Sequence, residues 1–170
     1  GELKRVNRQL SALRQLVHDD LIENMPQWVS FQTTYVCNLR CPHCQTHGTE
    51  EGRSDCNDRS RDMPEEMLKK IASEVLPIAE EFTLSLSGEP LASPHLESTL
   101  SELSRYGAKL DLITNGTLLN RERLAAVLRV AGRIQISIDG ATEFTLEAIR
   151  RGAKFKTLIN NIKLLTETVS

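Results

Sequence analysis

The spacing of hydrophobic residues changes along this chain. Near the N-terminus they recur every three or four positions, which predicts an amphipathic helix within residues 3–23. From Trp28 the period becomes two, which predicts a first strand that runs to Thr34, just before Cys37. We therefore expect residues 1–27 to form an N-terminal helical segment and residues 28–170 to form the main folded unit.

The order strand-then-helix is predicted four times after residue 28. The further strands are expected at residues 82–87, 109–114 and 134–138, and the helices after Pro64, after Ser93, after Asn120 and from Ala141, with a last one from Phe155. A polar segment over residues 45–63 predicts a long loop. Strands connected through helices pair in parallel, so the fold class is α/β.

Three of the predicted strands carry one polar and one apolar face. The polar sets are Ser30, Gln32 and Thr34 in the first strand, Thr83, Ser85 and Ser87 in the second, and Gln135, Ser137 and Asp139 in the fourth. A doubly wound sheet is apolar on both faces because helices cover both. One polar face per strand instead predicts a partial parallel (β/α) barrel whose concave side binds a polar ligand.

Composition excludes several classes of protein. The 170 residues suit one domain, and 39% hydrophobic with 26% charged residues is the ordinary globular mixture. The formal charge of -2, without a basic stretch interleaved with aromatics, argues against a nucleic-acid partner. No apolar run approaches the ~20 residues that span a bilayer, so we expect no membrane association and a cytoplasmic location.

The cysteines indicate a metal centre. Cys37, Cys41 and Cys44 form a C-x3-C-x2-C triplet directly after the first strand, where α/β folds place their sites. Three thiolates on a 4Fe-4S cluster leave one iron open to bind a further molecule. Alternatively, the triplet and Cys56 could bind zinc through four thiolates, although structural zinc sites usually pair two CxxC units.

Four motifs together resemble the signature of the radical S-adenosylmethionine (SAM) superfamily. They are the cysteine triplet, Ser87-Gly88-Glu89-Pro90 in place of GGEP, Thr114-Asn115-Gly116, and Ile136-Ser137-Ile138-Asp139-Gly140. The last motif and the stretch from Ile149 to Asn161 are similar to the peptide-modifying, SPASM-type branch. Each motif after the triplet would alone be an ordinary turn.

The resemblance implies a set of binding residues. Cys37, Cys41 and Cys44 would hold a 4Fe-4S cluster, and SAM would contact His43, Ser87, Gly88, Glu89, Pro90, Asn115, Ser137, Asp139 and Arg151. Within this set, the Glu89 segment would bind the amino group of SAM, and Ser137 and Asp139 its ribose or carboxylate. An arginine at 150 or 151 would pair with the carboxylate or, equally well, compensate a helix C-terminus. His43 stands where the family often has an aromatic residue near the adenine, and the roles of His47 and Cys56 stay open.

The resemblance also implies an activity: the cluster, reduced by an electron donor, cleaves SAM to a 5'-deoxyadenosyl radical that abstracts hydrogen from a substrate, here a peptide or protein. The family core has six βα units, whereas this sequence predicts four. We therefore expect an open sheet edge that missing C-terminal sequence, a partner chain or the N-terminal helix must cover. The alternatives are a zinc-stabilised binding module and a truncated cluster-binding fragment without activity.

Overall fold

The computed structural model describes residues 1–17, 24–48, 57–84 and 87–169. Its four strands are β1 (Trp28–Ser30), β2 (Glu81–Thr83), β3 (Lys109–Thr114) and β4 (Ala131–Ile136). They form one parallel sheet in the order β1-β2-β3-β4. This arrangement confirms the predicted α/β class.

Helices precede the sheet, connect its strands and follow it. They are α1 (Glu2–Val17), α2 (Glu65–Val75), α3 (Leu96–Tyr106), α4 (Arg121–Leu128), α5 (Glu143–Ile149) and α6 (Phe155–Val169). Short 3-10 turns lie at Arg59–Arg61 and Pro90–Ala92. As predicted, Asn120 caps α4 by accepting from the Arg123 amide, and Gly107 ends α3 in the left-handed conformation at φ 61°.

Three predicted strands have different limits in the structure. β2 covers Glu81–Thr83 rather than residues 82–87, and the described residues Leu84 and Ser87 lie outside it. β1 ends at Ser30 rather than Thr34, because the next backbone pairs elsewhere: the Met63 amide donates to the Thr33 carbonyl, and the Thr34 hydroxyl donates to Asp62. β4 begins at Ala131 and ends at Ile136, which leaves Ile138 half exposed instead of in the core. Residues 85–86 and Cys56 lie outside the described residues, so the predictions made for them are untested.

A leucine-rich core covers one face of the sheet. Phe82, Leu110 and Leu112 of the strands pack against Leu100 and Leu103 of α3, all of them at most 2% exposed. Alternate residues of a strand point to opposite faces, so the residues between these apolar ones lie on the other side of the sheet.

That other face carries a row of polar side chains across three strands. Thr83 and Asp111 are paired in register, as are Asp111 and Arg133. The Trp28 indole donates to the Thr83 hydroxyl at 2.8 Å, this hydroxyl donates to Asp111, and Arg133 donates two hydrogen bonds to the Asp111 carboxylate at 2.8 and 2.7 Å. Of the residues predicted for the polar face, this network includes Thr83, whereas the buried Ser30 hydroxyl has no hydrogen-bond partner among the described residues.

Helix α1 contacts the rest of the chain through polar residues. The Asn7 side chain exchanges two hydrogen bonds with the Met25 backbone, and Arg8 forms a two-bond ion pair with Glu80. The apolar residues of α1 are exposed instead, with Leu3 and Leu13 each 59% accessible. These contacts lie at the amino ends of β1 and β2, so α1 does not cover the β4 edge.

No helix in the described ranges is long and apolar enough to cross a membrane.

The Asp111–Arg133 pair makes the stability of the sheet depend on pH. The guanidinium of Arg133 lowers the pKa of the buried Asp111 carboxyl below its usual 3.8. The pair therefore stabilises the fold at neutral pH, and this contribution is lost as pH falls through the lowered pKa. We expect Asp111→Asn to reduce the free energy of unfolding by about 1–2 kcal/mol at pH 7, a modest value because Arg133 is largely exposed.

Chemical denaturation of wild type and variant between pH 7 and about pH 3 measures this effect, and the difference should shrink towards the acid end. Glu97→Gln is the control, because the Arg129–Glu97 pair is exposed on both sides and should contribute nothing measurable. An Asp111→Asn deficit that stayed constant across this pH range would contradict the ion-pair explanation.

Candidate functional site

The three clustered cysteines line one cavity at the carboxyl ends of the strands. The cavity has a volume of about 330 Å³ and reaches from the cysteine loop, residues 37–44, to the ends of β3 and β4. Cys41 is buried, and Cys37 and Cys44 are partly buried. Carboxyl ends of parallel strands are where α/β folds form their sites, and the sequence places the triplet there.

Burial and backbone amides set the chemistry of these thiols. Burial raises the pKa of Cys37 to about 11 and also raises the pKa of Cys41, so both are protonated at neutral pH. Metal binding would therefore release protons. The Leu39 amide donates to Cys37 Sγ at 3.5 Å and the His47 amide to Cys44 Sγ at 3.4 Å. Such hydrogen bonds tune iron-sulfur centres.

The donor set fits an iron-sulfur cluster. All three side chains are thiols, the ligand type that such clusters take. In the described ranges no three His, Cys, Asp or Glu side chains are grouped closely enough to hold a single metal ion. A four-iron cluster does not need that grouping, because each thiolate would bond a different iron.

The Gly88-Glu89 turn packs against the backbone that leads into Cys37. A Cβ atom at Gly88 would lie 2.6 Å from the Thr34 carbonyl oxygen, and the φ of Gly88 is +73°. Only glycine fits so close an approach in this conformation. The Glu89 amide also donates to the Val36 carbonyl at 2.8 Å.

The Thr114-Asn115-Gly116 turn holds the cysteine loop by side-chain hydrogen bonds. The Asn115 amide group donates to Asn38 Oδ1 at 2.9 Å, and the Asn38 amide group donates to the Thr117 hydroxyl at 2.7 Å. Thr117 in turn donates from its backbone and its hydroxyl to Asn115 Oδ1. Asn38 thus lies inside the cysteine triplet and fixes it to the end of β3.

The segment after α5 packs on the same loop from another side. The Arg40 amide donates to the Arg151 carbonyl at 2.9 Å. Leu39 is buried against Leu146, Ala153 and Leu158 in a small second core. The Asn115 turn and the Arg151 segment therefore contact the cysteine loop directly, and the Gly88-Glu89 turn contacts the backbone just before it.

Six of the predicted SAM-binding residues line the cavity and three do not. Those that line it are His43, Ser87, Gly88, Glu89, Asn115 and Ser137. The cavity lining does not include Pro90, Asp139 or Arg151, and Arg151 is exposed.

Of the two neighbouring arginines, Arg150 lines the cavity and Arg151 does not. Arg150 has only 15% of its side chain exposed, and its Nε donates to Asp139 Oδ2 at 2.5 Å. His43 Nε2 lies 3.7 Å from the same oxygen. Asp139, which follows β4, therefore lies next to both Arg150 and His43 of the cysteine loop.

Sequence reasoning missed two residues that shape the loop. Asn38 carried no signal, since an isolated asparagine is common in loops. Gly48 was taken only as a loop residue, yet its amide donates to the Cys44 carbonyl at 2.8 Å and a Cβ there would lie 2.5 Å from that oxygen. A glycine four residues after the third cysteine was the available signal for a tight closing turn.

Several curated proteins have related sequences. The AdoMet-dependent heme synthase of Methanosarcina barkeri (strain Fusaro) is 33% identical over 133 residues, which is 75% of this chain and 35% of that protein. The PqqA peptide cyclase of Bradyrhizobium diazoefficiens is 33% identical over 121 residues, 70% of this chain and 30% of that protein. The mycofactocin maturase MftC of Mycobacterium ulcerans is 26% identical over 144 residues, 82% of this chain and 36% of that protein. The chain spans about a third of the length of each of these relatives.

Solved structures share the fold. Streptococcus suis SuiB bound to S-adenosylmethionine matches with a TM-score of 0.65 and 12% identity, over 99% of this chain and 43% of that one. BtrN in complex with AdoMet and 2-DOIA matches with a TM-score of 0.58 and 14% identity, over 81% of this chain and 56% of that one. At 12% and 14% sequence identity, the similarity to these two structures shows a shared fold.

The family assignment follows from the sequence itself. The profile described as the Radical SAM superfamily matches residues 31–169, a stretch that contains the cysteine triplet, β2, β3 and β4. This match confirms the resemblance found in the motifs, and the family implies a 4Fe-4S cluster and SAM as cofactors. The chain belongs to the Radical SAM superfamily.

Proposed function

We propose that this chain is the catalytic core of a radical SAM enzyme in which Cys37, Cys41 and Cys44 hold a 4Fe-4S cluster and the adjoining cavity binds SAM. The observation that carries the proposal is that all three thiols line one cavity together with the turns at the ends of the strands. A bound cluster would pass an electron from an external donor to SAM, and cleavage of SAM would give a 5'-deoxyadenosyl radical that abstracts hydrogen from the substrate. The work of the protein is to orient these groups and exclude competing reactions.

The polar residues of the cavity suit the functional groups of SAM. The Arg150 guanidinium is mostly buried and held by Asp139, so it is oriented in advance to pair with a carboxylate. The Ser137 hydroxyl supplies a donor and an acceptor on the same wall, and Asn115 Nδ2 has one N–H besides the one that it donates to Asn38. His43 is about half exposed at the rim, where its ring is free to stack on a planar base. Leu39 and Ile113 add apolar surface that keeps water away from the reacting groups.

We further propose a peptide or protein substrate. The support is the similarity to proteins named for such work, among them the PqqA peptide cyclase and the subtilosin biosynthesis protein AlbA of Bacillus subtilis. SuiB, which shares the fold, has been solved with the precursor peptide SuiA. The exposed Gln135 side chain, on the same face of β4 as Ser137, offers the paired donor and acceptor that a peptide backbone needs.

Cluster assembly tests the proposed metal ligands. Anaerobic reconstitution should give about four iron and four sulfide per chain, and each of Cys37→Ala, Cys41→Ala and Cys44→Ala should abolish the visible absorbance of the cluster. Cys56→Ala is the matched control and should keep full iron and sulfide. Uptake of zinc without sulfide, lost in Cys56→Ala, would instead establish the zinc-binding module. A cluster that forms while no 5'-deoxyadenosine is produced from SAM under reduction would identify an inactive fragment.

A pair of neighbouring arginines tests the SAM-binding wall. Arg150→Ala should weaken SAM binding to the reconstituted protein by about tenfold to a hundredfold, since it removes a charge-assisted hydrogen bond from a mostly buried place. Arg151→Ala should leave the dissociation constant within about twofold, because Arg151 is exposed and does not line the cavity. Equilibrium binding of SAM measures both. Equal losses in the two variants would refute the assignment of Arg150.

A further inference from the structure

Glu89 lines the cavity, although almost all of the residue is buried. Only 2% of the residue is exposed, although Glu89 follows a glycine that lines the same cavity. A carboxylate that binds the ammonium group of a ligand must present free oxygen lone pairs to it. The bonding of these two oxygens therefore decides what Glu89 does.

Three donors from the chain occupy the carboxylate. Oε1 accepts from the Thr114 hydroxyl at 2.5 Å and from the Leu91 amide at 3.1 Å, and Oε2 accepts from the Asn115 amide at 2.8 Å. An ionised carboxylate has about four acceptor positions, so three of them are already used. These donors oppose the effect of burial, which raises the pKa of Glu89.

Hydrogen bonds of Glu89 and Asn115 connect the two residues that flank Cys37. The Glu89 amide donates to the Val36 carbonyl, one residue before Cys37. The Asn115 amide donates to the Glu89 carboxylate, and the Asn115 side chain donates to Asn38, one residue after Cys37. The residue before Cys37 is thus held by the Glu89 backbone, and the residue after it is linked to the Glu89 carboxylate through Asn115.

We infer that Glu89 is a positioning residue, whose carboxylate sets the place of Cys37 through Asn115 and does not bind the ammonium group of SAM. This inference rests on the proposed function, since it assigns a role within that cluster and SAM site. Ser87 and Gly88 line the cavity, and the Ser87 hydroxyl accepts from Thr46, which ties this turn to the loop just after Cys44.

The test uses the reconstituted full chain and the variants Glu89→Gln and Thr114→Val. Glutamine keeps the size of the side chain but turns an NH2 group towards a donor. Valine keeps the shape of Thr114, leaves the carboxylate intact and removes one of its donors. Three quantities are measured: the electron paramagnetic resonance spectrum of the reduced cluster without SAM, the affinity for SAM, and the affinity for an analogue of SAM that lacks the amino group.

If Glu89 positions Cys37, both variants change the cluster spectrum in the absence of SAM. The ratio of the affinities for SAM and for the analogue then stays within about twofold of wild type, because the ammonium contact is intact. If Glu89 binds the ammonium directly, Glu89→Gln lowers that ratio by about tenfold or more while the spectrum without SAM stays unchanged. A ratio lowered by this amount, or an unchanged spectrum without SAM, would overturn the inference.

Two further outcomes are separable. If Glu89→Gln does not hold a cluster, Thr114→Val decides: an unchanged spectrum in that variant overturns the inference, and an altered one supports it. If the wild-type chain takes up no cluster or binds no SAM, the proposed function itself fails, whatever the variants do.

Discussion

The hydrogen bonds around the cysteine loop are the constraint on which the site depends. Residues 31–48 contain no helix or strand, so no backbone ladder fixes them. The loop takes its shape from neighbours at the ends of strands and helices: the Gly88-Glu89 turn, the Asn115 side chain and the Arg151 carbonyl. At the buried partners, Glu89 and Asn115, an unmade hydrogen bond would cost the desolvation of the group, so these bonds favour the observed arrangement.

The two faces of the sheet divide the tasks of stability and binding. The leucines of β3 and the helices supply the burial of apolar surface that drives folding. On the opposite face, Thr83, Asp111 and Arg133 hydrogen-bond to one another. Because these three groups are paired, the sheet holds them without the cost of leaving them unsatisfied. A polar ligand can then be held next to a stable core.

Much of this arrangement could be predicted from the sequence, and the exceptions have physical causes. Strand β3, the Asn120 cap and the end of α3 at Gly107 depend on residues near each other in sequence, and the predictions for them are confirmed. The end of β1 depends on the hydrogen bond from Thr34 to Asp62. These residues are far apart in sequence, so the spacing of hydrophobic residues within β1 cannot predict their contact. Which of Arg150 and Arg151 faces the cavity likewise depends on the backbone direction at the end of α5. The similarity of the sequence motif to the family did not distinguish the two residues.

The attachment of helix α1 differs in kind from the packing of the core. It depends on the Arg8–Glu80 ion pair and the Asn7–Met25 hydrogen bonds, while the leucines of the helix face outwards. Attraction between partly exposed charges is screened by dissolved ions, whereas burial of apolar surface is not weakened in this way. Ionic strength therefore distinguishes the attachment of α1 from the packing of the core. Concentrated salt weakens the attachment of α1 and leaves the packing of the leucine core intact.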